Sequence, residues 1–174
     1  MSGHQSPPGG EPVQVKADEA AFGETPDIYG AYPRLTEDQM ARLAEHGQRR
    51  TVAPNDVLIR EGERCETVFV VLSGTVAVVE DHGTPEEHVL RVHGPGRFIG
   101  ELGLLYGQVA FYTAVVREPG EVLVVSLDQL RHLGSQDSTI GDVVLRACLC
   151  RRALLVGQGA GFRVICSRYS PDTR

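Results

Sequence analysis

The chain has 174 residues, a length typical of one domain, and 41% of them are hydrophobic, which is sufficient for a buried core. Its formal net charge of -6 argues against a basic surface for nucleic acid or anionic membranes. No apolar run is long enough to cross a bilayer, and no signal-peptide pattern is visible at the N-terminus. These features predict a cytoplasmic protein without a nucleic-acid or membrane partner. The arginine pairs at 49–50 and 151–152 are interpreted as solvated helix ends.

The N-terminal region divides into an arm and a helix. Residues 1–30 are rich in Gly, Pro, Ser, Glu and Gln with little apolar periodicity, which predicts a disordered or extended arm. A helix is predicted to follow Thr36, because Thr36 and Gln39 have the spacing of a capping box. Leu43 belongs to its apolar stripe, and Gly47 is predicted to end it.

From Arg50 to Val125 the sequence alternates short β-rich runs with turn signals. The turn signals lie at residues 53–56, 61–62, 73–74, 82–85, 94–96 and 118–120. A spacing of about ten residues between such signals is typical of an antiparallel sandwich or jelly roll. The region is therefore predicted to be one small β-structure.

Two helices are predicted after the β-region. Residues 126–130 open a short helix, and a longer helix begins at Asp137 or Ser138 with apolar residues at helical spacing. Gly157 begins a glycine-rich stretch that ends this second helix. Residues 157–174 are predicted to be a linker or the start of a following domain.

The segment that begins at Gly100 has the features of an anion-binding turn. Gly100 has no Cβ, so the backbone can approach an anion closely. The first amides of a short helix after it would have no intrahelical partner and could bind a phosphate. Glu101 could accept a hydrogen bond from a sugar hydroxyl, and Leu102 would anchor the turn to the core. The alternative is an ordinary strand-to-helix turn with a capping Glu.

Four motifs resemble, in order and spacing, the cyclic nucleotide-binding domain family, the sensor module of catabolite-activator-type regulators. They are Glu61-Gly62, residues 69–74, Gly94-Pro95-Gly96 and residues 98–102. The resemblance spans roughly Leu35 to Leu155 and implies a mainly β fold across residues 31–156. That fold is an antiparallel jelly-roll β-barrel, or double-stranded β-helix, with N- and C-terminal helices. It also implies a regulatory sensor whose C-terminal helix closes over the ligand and forms a homodimer.

The predicted site departs from the family at the arginine that clamps the cyclic phosphate. That arginine would fall nine or ten residues after Glu101, at Ala110 or Phe111. A charge-assisted hydrogen bond contributes about 1.5–3 kcal/mol, so its loss would weaken a cyclic nucleotide roughly ten- to a hundredfold. Phe111 and Tyr112 also replace small residues and could fill the pocket. The candidate pocket for a cyclic nucleotide or another small anion comprises Gly100, Glu101, Leu102, Ala110, Phe111, Tyr112 and Thr113.

Two functions stay open for this site. One is a non-catalytic regulatory sensor of an attached or partner module, and the other is a degenerate structural or dimerisation module that binds no nucleotide. No catalytic residue, metal site or cofactor is predicted, because His88 and His93 lack cupin-like spacing and the cysteines form no zinc motif. Residues 24–28 and 161–174 resemble an actinobacterial arrangement in which such a domain precedes a flavin-dependent thioredoxin-reductase-like module. That resemblance implies a flavoprotein reductase as a partner.

Overall fold

The computed structural model of the chain describes residues 23–103 and 109–157. Its elements are α1 (Glu37–His46), β1 (Gln48–Val52), β2 (Val57–Ile59), β3 (Thr67–Glu80), β4 (His88–His93), β5 (Phe98–Ile99), β6 (Thr113–Ser126), α2 (Leu127–Gln136) and α3 (Ser138–Gly157). The six strands form one antiparallel sheet, and in the sequence one helix precedes them and two follow. This confirms the predicted mainly β architecture. Within these residues no helix is long and apolar enough to cross a membrane.

The helix boundaries follow local capping chemistry. The Thr36 hydroxyl accepts a hydrogen bond from the Gln39 amide at 3.2 Å, and the Gln39 side chain accepts one from the Thr36 amide at 2.9 Å. This reciprocal pair is the predicted capping box, and it starts α1. Ser126 and Gln129 form a second capping box at the start of α2. Gly47 ends α1 close to β6, where a Cβ atom would lie only 2.8 Å from a backbone oxygen.

The sheet is organised around two long strands, β3 and β6, of 14 residues each. They pair antiparallel with each other, β6 also pairs with β1 and β2, and β3 also pairs with β4 and β5. The turns predicted at 73–74 and 118–120 are instead bends inside continuous strands. The register shifts there, and Gly74 adopts a left-handed φ of 80°. A glycine bulge lets each strand bend while its hydrogen bonding resumes on either side.

The core has two faces because the long strands alternate their side chains. Val68 and Val70 of β3 pack against the helices, together with Leu43 of α1. Phe69 and Val71 point the other way, into a second apolar cluster enclosed by the strands. Since both faces are covered, β3 is a continuous apolar run and not a polar–apolar alternation. This packing fixes β5, and with it the turn that follows, between the strands and the helices.

The turn between β3 and β4 is held by Glu87. Its Oε2 lies 2.7 Å from His82 Nδ1 and accepts from the Gly83 amide at 3.1 Å, while Oε1 pairs with Arg117. Burial alone would raise the pKa of Glu87, but the hydrogen bonds from Gly83, Arg117 and His82 lower it to about 2. The hairpin is therefore stabilised by an ionised carboxylate.

Residues 24–35 form a strap, here called the N-terminal strap, that crosses β4 and reaches α3. The Thr25 amide donates to Val92 O at 3.0 Å, and the Leu35 amide donates to Gly96 O at 2.8 Å. Residues 1–22 of the arm predicted through residue 30 lie outside the described residues, and its described part has no helix or strand and contacts the barrel. The contacts of the strap are mostly polar, and apolar periodicity therefore gives no sign of them.

Candidate functional site

The candidate site is built on the turn after β5, which with the segment before β6 forms the cassette, residues 100–103 and 109–113. Gly100 adopts a φ of 100°, a left-handed conformation that side chains disfavour. A Cβ atom there would collide with the carbonyl oxygen of Thr67, and one at Gly103 would collide with that of Cys65. Both glycines are therefore needed for the close approach of the turn to the residues around the start of β3.

The carboxylate of the turn is buried and paired. Glu101 is 1% exposed, and its Oε1 accepts a hydrogen bond from Nη1 of Arg151 on α3. Its Oε2 is buried and has no hydrogen-bond partner among the described residues. Glu101 thus faces α3 as one half of a buried ion pair, with one oxygen still able to accept a hydrogen bond.

Arg151 links α3 to three other parts of the fold. It is 8% exposed, its Nε donates to Ala31 O at 2.6 Å, and both terminal nitrogens lie 3.3 Å from Phe98 O. Its guanidinium lies 5.1 Å from the ring centroids of both Tyr32 and Phe98, within cation–π range. The interpretation of Arg151 as a solvated helix end is therefore wrong. The Phe98 and Ala31 carbonyls that bind it lie 53 and 120 positions away in sequence, so the helix pattern indicates the face on which Arg151 lies but not what covers it.

The second part of the cassette carries apolar side chains where the family arginine was sought. Ala110 is buried, and its backbone exchanges hydrogen bonds with the turn at Gly62 and Glu63, each 2.8 Å long. Phe111 and Tyr112 contact each other edge to face, with ring centroids 5.2 Å apart. Both rings therefore lie beside the glycine turn.

Tyr112 occupies the space in front of the turn. Burial raises the pKa of its hydroxyl, the nearby charge of Glu101 raises it further, and a hydrogen bond from the Gly100 backbone acts in the opposite direction. Tyr112 is 8% exposed and lines the cavity beside Gly100, so its ring lies where a ligand would approach the turn. A phenol with this raised pKa stays neutral, and since a tyrosine has no cationic form it does not replace the missing arginine as the charge partner of a phosphate.

The cavity beside Tyr112 is small. It has a volume of about 20 Å³, room for roughly one water molecule, whereas ligand pockets usually measure about 300–1,000 Å³. Its described lining is Cys65, Gly100, Leu102, Gly103, Val109, Ala110, Phe111 and Tyr112. None of these side chains is cationic. In this conformation the cassette is closed by its own side chains.

Two thiols support the backbone of the turn from opposite sides. Cys65 Sγ lies 3.8 Å from Gly100 O, and Cys148 Sγ lies 3.5 Å from Glu101 O. Burial, with the charge of Glu101 as the next cause, raises the pKa of Cys148 to about 12, and burial also raises the pKa of Cys65. Both groups are therefore protonated donors to carbonyl oxygens and poor nucleophiles.

Of the seven predicted site residues, five line this one cavity: Gly100, Leu102, Ala110, Phe111 and Tyr112. Glu101 faces α3 instead, and the Thr113 hydroxyl accepts a hydrogen bond from the Glu61 amide at 3.2 Å. Arg151 is the site residue that the sequence reasoning missed. Its spacing of four and seven residues from Ala147 and Val144, both buried, was the available signal.

A β-barrel that holds a glycine turn against a C-terminal helix defines a regulatory, ligand-sensing class of domain. Residues 49–137 match the family model described as the cyclic nucleotide-binding domain, and the chain belongs to that family. The chain is 33% identical over 103 residues to the cAMP-activated global transcriptional regulator Vfr of Pseudomonas aeruginosa, which covers 57% of this chain and 48% of that protein. The chain thus spans about half the length of the curated relatives that it matches.

Solved structures give the same fold. The catabolite activator protein of Thermus thermophilus matches with a TM-score of 0.60 at 23% identity, covering 74% of this chain and 60% of that chain. The c-di-GMP responsive global regulator CLP of Xanthomonas campestris matches with a TM-score of 0.58 at 26% identity, covering 70% and 61% of the two chains. The predicted family, the jelly-roll fold and the regulatory character of the domain are confirmed.

The prediction that nucleic acid is not a partner is wrong, because the matched relatives are transcriptional regulators. The net charge of one domain does not report on the partners of regulators that are about twice as long. The homodimer, the flavoprotein reductase module and the cytoplasmic location stay predictions. The segment 161–174, on which the reductase prediction largely rested, lies outside the described residues.

Proposed function

We propose that the chain is a regulatory sensor domain in which the state of the cassette sets the position of α3. The observation that carries this proposal is the buried ion pair between Glu101 of the cassette and Arg151 of α3. A change at the turn is thereby linked directly to the helix that follows the barrel. The output is an attached or partner module that responds to the position of α3.

The sensing step follows from competition at one carboxylate. A ligand hydroxyl can bond to the unpartnered Oε2 of Glu101 and thereby compete with Arg151, on Oε1, for the charge of one carboxylate, while the ring of Tyr112 must move before a ligand can reach the turn. Ligand binding and the closed cassette are thus alternatives. A ligand shifts the domain toward the open arrangement by as much as its affinities for the two arrangements differ.

The ligand class supported best is a nucleotide bound weakly. The names of the matched relatives mention cAMP for one and c-di-GMP for another, so one fold serves different nucleotides in different regulators. In this chain the described lining of the cavity supplies no cation for a phosphate. We therefore expect the affinity for a cyclic nucleotide to be lower than that of a cassette with its arginine, by roughly ten- to a hundredfold.

Calorimetric titration with cAMP, cGMP and c-di-GMP tests this proposal. The key variant is Ala110→Arg, which restores a cation at a buried cassette position, and Val109→Arg is its matched control because Val109 is exposed. Affinity should rise ten- to a hundredfold in the first variant and stay unchanged in the second. Absence of heat at millimolar ligand, in both the unaltered chain and Ala110→Arg, contradicts nucleotide sensing by this cassette.

A degenerate structural module is the second candidate, favoured by the 20 Å³ cavity and the buried Tyr112. The combined variant Ala110→Arg with Tyr112→Thr separates the two. It supplies the cation and also removes the ring that fills the space before the turn. If this variant folds and still binds no cyclic nucleotide, the cassette serves the packing of the domain and not ligand sensing.

A further inference from the structure

The first half of the N-terminal strap is attached to the barrel. The Thr25 amide donates to the Val92 carbonyl of β4 at 3.0 Å, and the Val92 amide donates to the Thr25 hydroxyl at 2.8 Å. Glu24 accepts from the Gly94 amide at 2.8 Å and lies 3.2 Å from Nε of Arg97. These contacts join the strap to β4 and to the turn after it, and they involve neither α3 nor the cassette.

The second half contacts α3, and the Tyr32 hydroxyl also accepts a hydrogen bond from Nε of Arg91 on β4 at 2.6 Å. The Ala31 carbonyl accepts from Arg151 Nε at 2.6 Å, and the Tyr29 carbonyl accepts from Cys150 Sγ at 3.3 Å. The ring of Tyr32 lies between the guanidinium groups of Arg91 and Arg151, with distances of 5.5 and 5.1 Å to the ring centroid. The strap therefore bridges the barrel and α3, and Arg151 is its main contact on the helix.

Arg151 thus serves two structures with one guanidinium: Glu101 of the cassette, and Ala31 with Tyr32 of the strap. Arg91 and the buried His93 lie around the same ring, and the charges of Arg151, Arg97 and Arg91 act on His93. Glu101 is the carboxylate that pairs with Arg151 among the described residues. Without that carboxylate, Arg151 would be a buried cation in a cationic neighbourhood, an arrangement that is strongly unfavourable.

We propose that the strap is a conformational reporter of the cassette: any event that removes Glu101 from Arg151 also detaches the second half of the strap from α3. Where the event is ligand binding, this inference rests on the proposed function. The linkage itself is a property of the folded chain. Because coupling between two sites is reciprocal, loosening the strap must also loosen the cassette.

The second half of the strap is poised to detach. Tyr29 adopts a φ of 57°, in the left-handed region that a bulky side chain disfavours, and the residue is 87% exposed. Its side chain gains little packing in return for this conformation. Strained residues of this kind persist only where their neighbours impose them. The contacts of Ala31 and Tyr32 with Arg151 are among those that impose it, so loss of Arg151 weakens what holds the turn.

Hydrogen exchange without any ligand tests the linkage. The reporters are the amides of Ala31 and Tyr32, which donate to Ile28 O at 3.1 Å and to Asp27 Oδ1 at 2.8 Å. In Glu101→Gln we expect their exchange to accelerate at least tenfold. The Thr25 and Leu35 amides, which are bonded to the barrel, should change less than twofold. Glu45→Gln, which removes an exposed carboxylate from α1, is the matched control and should change none of them.

Two further variants keep the test decisive if Glu101→Gln folds poorly. Tyr29→Gly relieves the left-handed backbone and should slow exchange at Ala31 and Tyr32 several-fold. Tyr32→Leu removes the stacked ring and should accelerate exchange of the Gly103 amide, which faces Gly100 O within the cassette. The proposal is overturned if Tyr32→Leu frees the Ala31 amide and leaves Gly103 unchanged.

It is equally overturned if Ala31 and Tyr32 keep their exchange rates in a folded Glu101→Gln, or if Thr25 and Leu35 accelerate by the same factor. The second pattern is general loosening and not release of one half of the strap. A failure of the nucleotide titrations contradicts the proposed function and does not affect this result, because no ligand is added.

Discussion

Replacing Arg151 by methionine should be among the most destabilising single changes in the domain. Glu101 is 1% exposed, and Arg151 supplies the hydrogen bond to its carboxylate among the described residues. Methionine leaves that carboxylate buried without a charge partner, and removing one member of a buried pair costs about 3–5 kcal/mol. The bonds to Ala31 O and Phe98 O are lost as well. We expect the free energy of unfolding to fall by about 4 kcal/mol.

The double variant Arg151→Met with Glu101→Leu provides the comparison. Removing both charges replaces the pair by apolar side chains, a change that is often neutral or stabilising. The double variant should therefore be more stable than Arg151→Met alone, by about 2–3 kcal/mol, although it has one substitution more. The stability of Arg151→Lys should lie between that of the unaltered chain and that of Arg151→Met, because lysine keeps the charge but loses the planar fork that reaches two oxygens at once.

Urea unfolding followed by far-UV circular dichroism measures these differences, since the chain contains no Trp. With a slope of about 2 kcal/mol per molar urea, a loss of 4 kcal/mol lowers the midpoint by about 2 M. The reasoning is refuted if Arg151→Met and the double variant lose equal stability. In that case the two residues contribute through packing and not through their mutual charge interaction.

Three further outcomes can be checked separately. Gly100→Ala should have a much lower melting temperature than Gly62→Ala. Both glycines have positive φ, +100 and +87, but the Cβ at 100 meets Thr67 O while the Cβ at 62 meets nothing within 4 Å. Equal melting temperatures would contradict this. The folded pKa of Glu87, about 2, lies below the ordinary 4.5, so stability should fall by on the order of 1 kcal/mol as the pH drops from 4.5 to 2. Acid unfolding of Glu87→Gln should lack that component. Burial and the pKa of about 12 should make Cys148 alkylate at pH 8 at least tenfold slower than a free thiol, as followed by mass spectrometry.

Local chemistry made much of the fold predictable. The box of Thr36 and Gln39 and the helix-ending Gly47 depend on residues within one turn of each other, and the structure contains them. The turn predicted at residues 73–74 is wrong because local sequence does not distinguish a turn from a bulge. A glycine with positive φ serves a turn or a bulge equally well, and the partner strand decides between them.

The site was predictable only in part. Gly100 and Tyr112 lie in one motif, and the sequence order was sufficient to expect them near each other. The burial of Arg151 depends on Ala31 and Phe98, which approach it from distant parts of the chain. The apolar spacing of α3 indicates which of the two adjacent arginines faces the core, but the tertiary fold decides which groups pair with it.

The placement of the cation changes what the cassette can do. In the resemblance that first suggested the family, the arginine belongs to the cassette and grips the phosphate, so closing and binding act together. Here the described cassette offers a carboxylate, and the arginine comes from α3 to hold it. Under the proposed function, a ligand at Glu101 weakens an existing contact with α3, so we expect its binding to favour release of the helix. The strap on α3 makes that direction measurable.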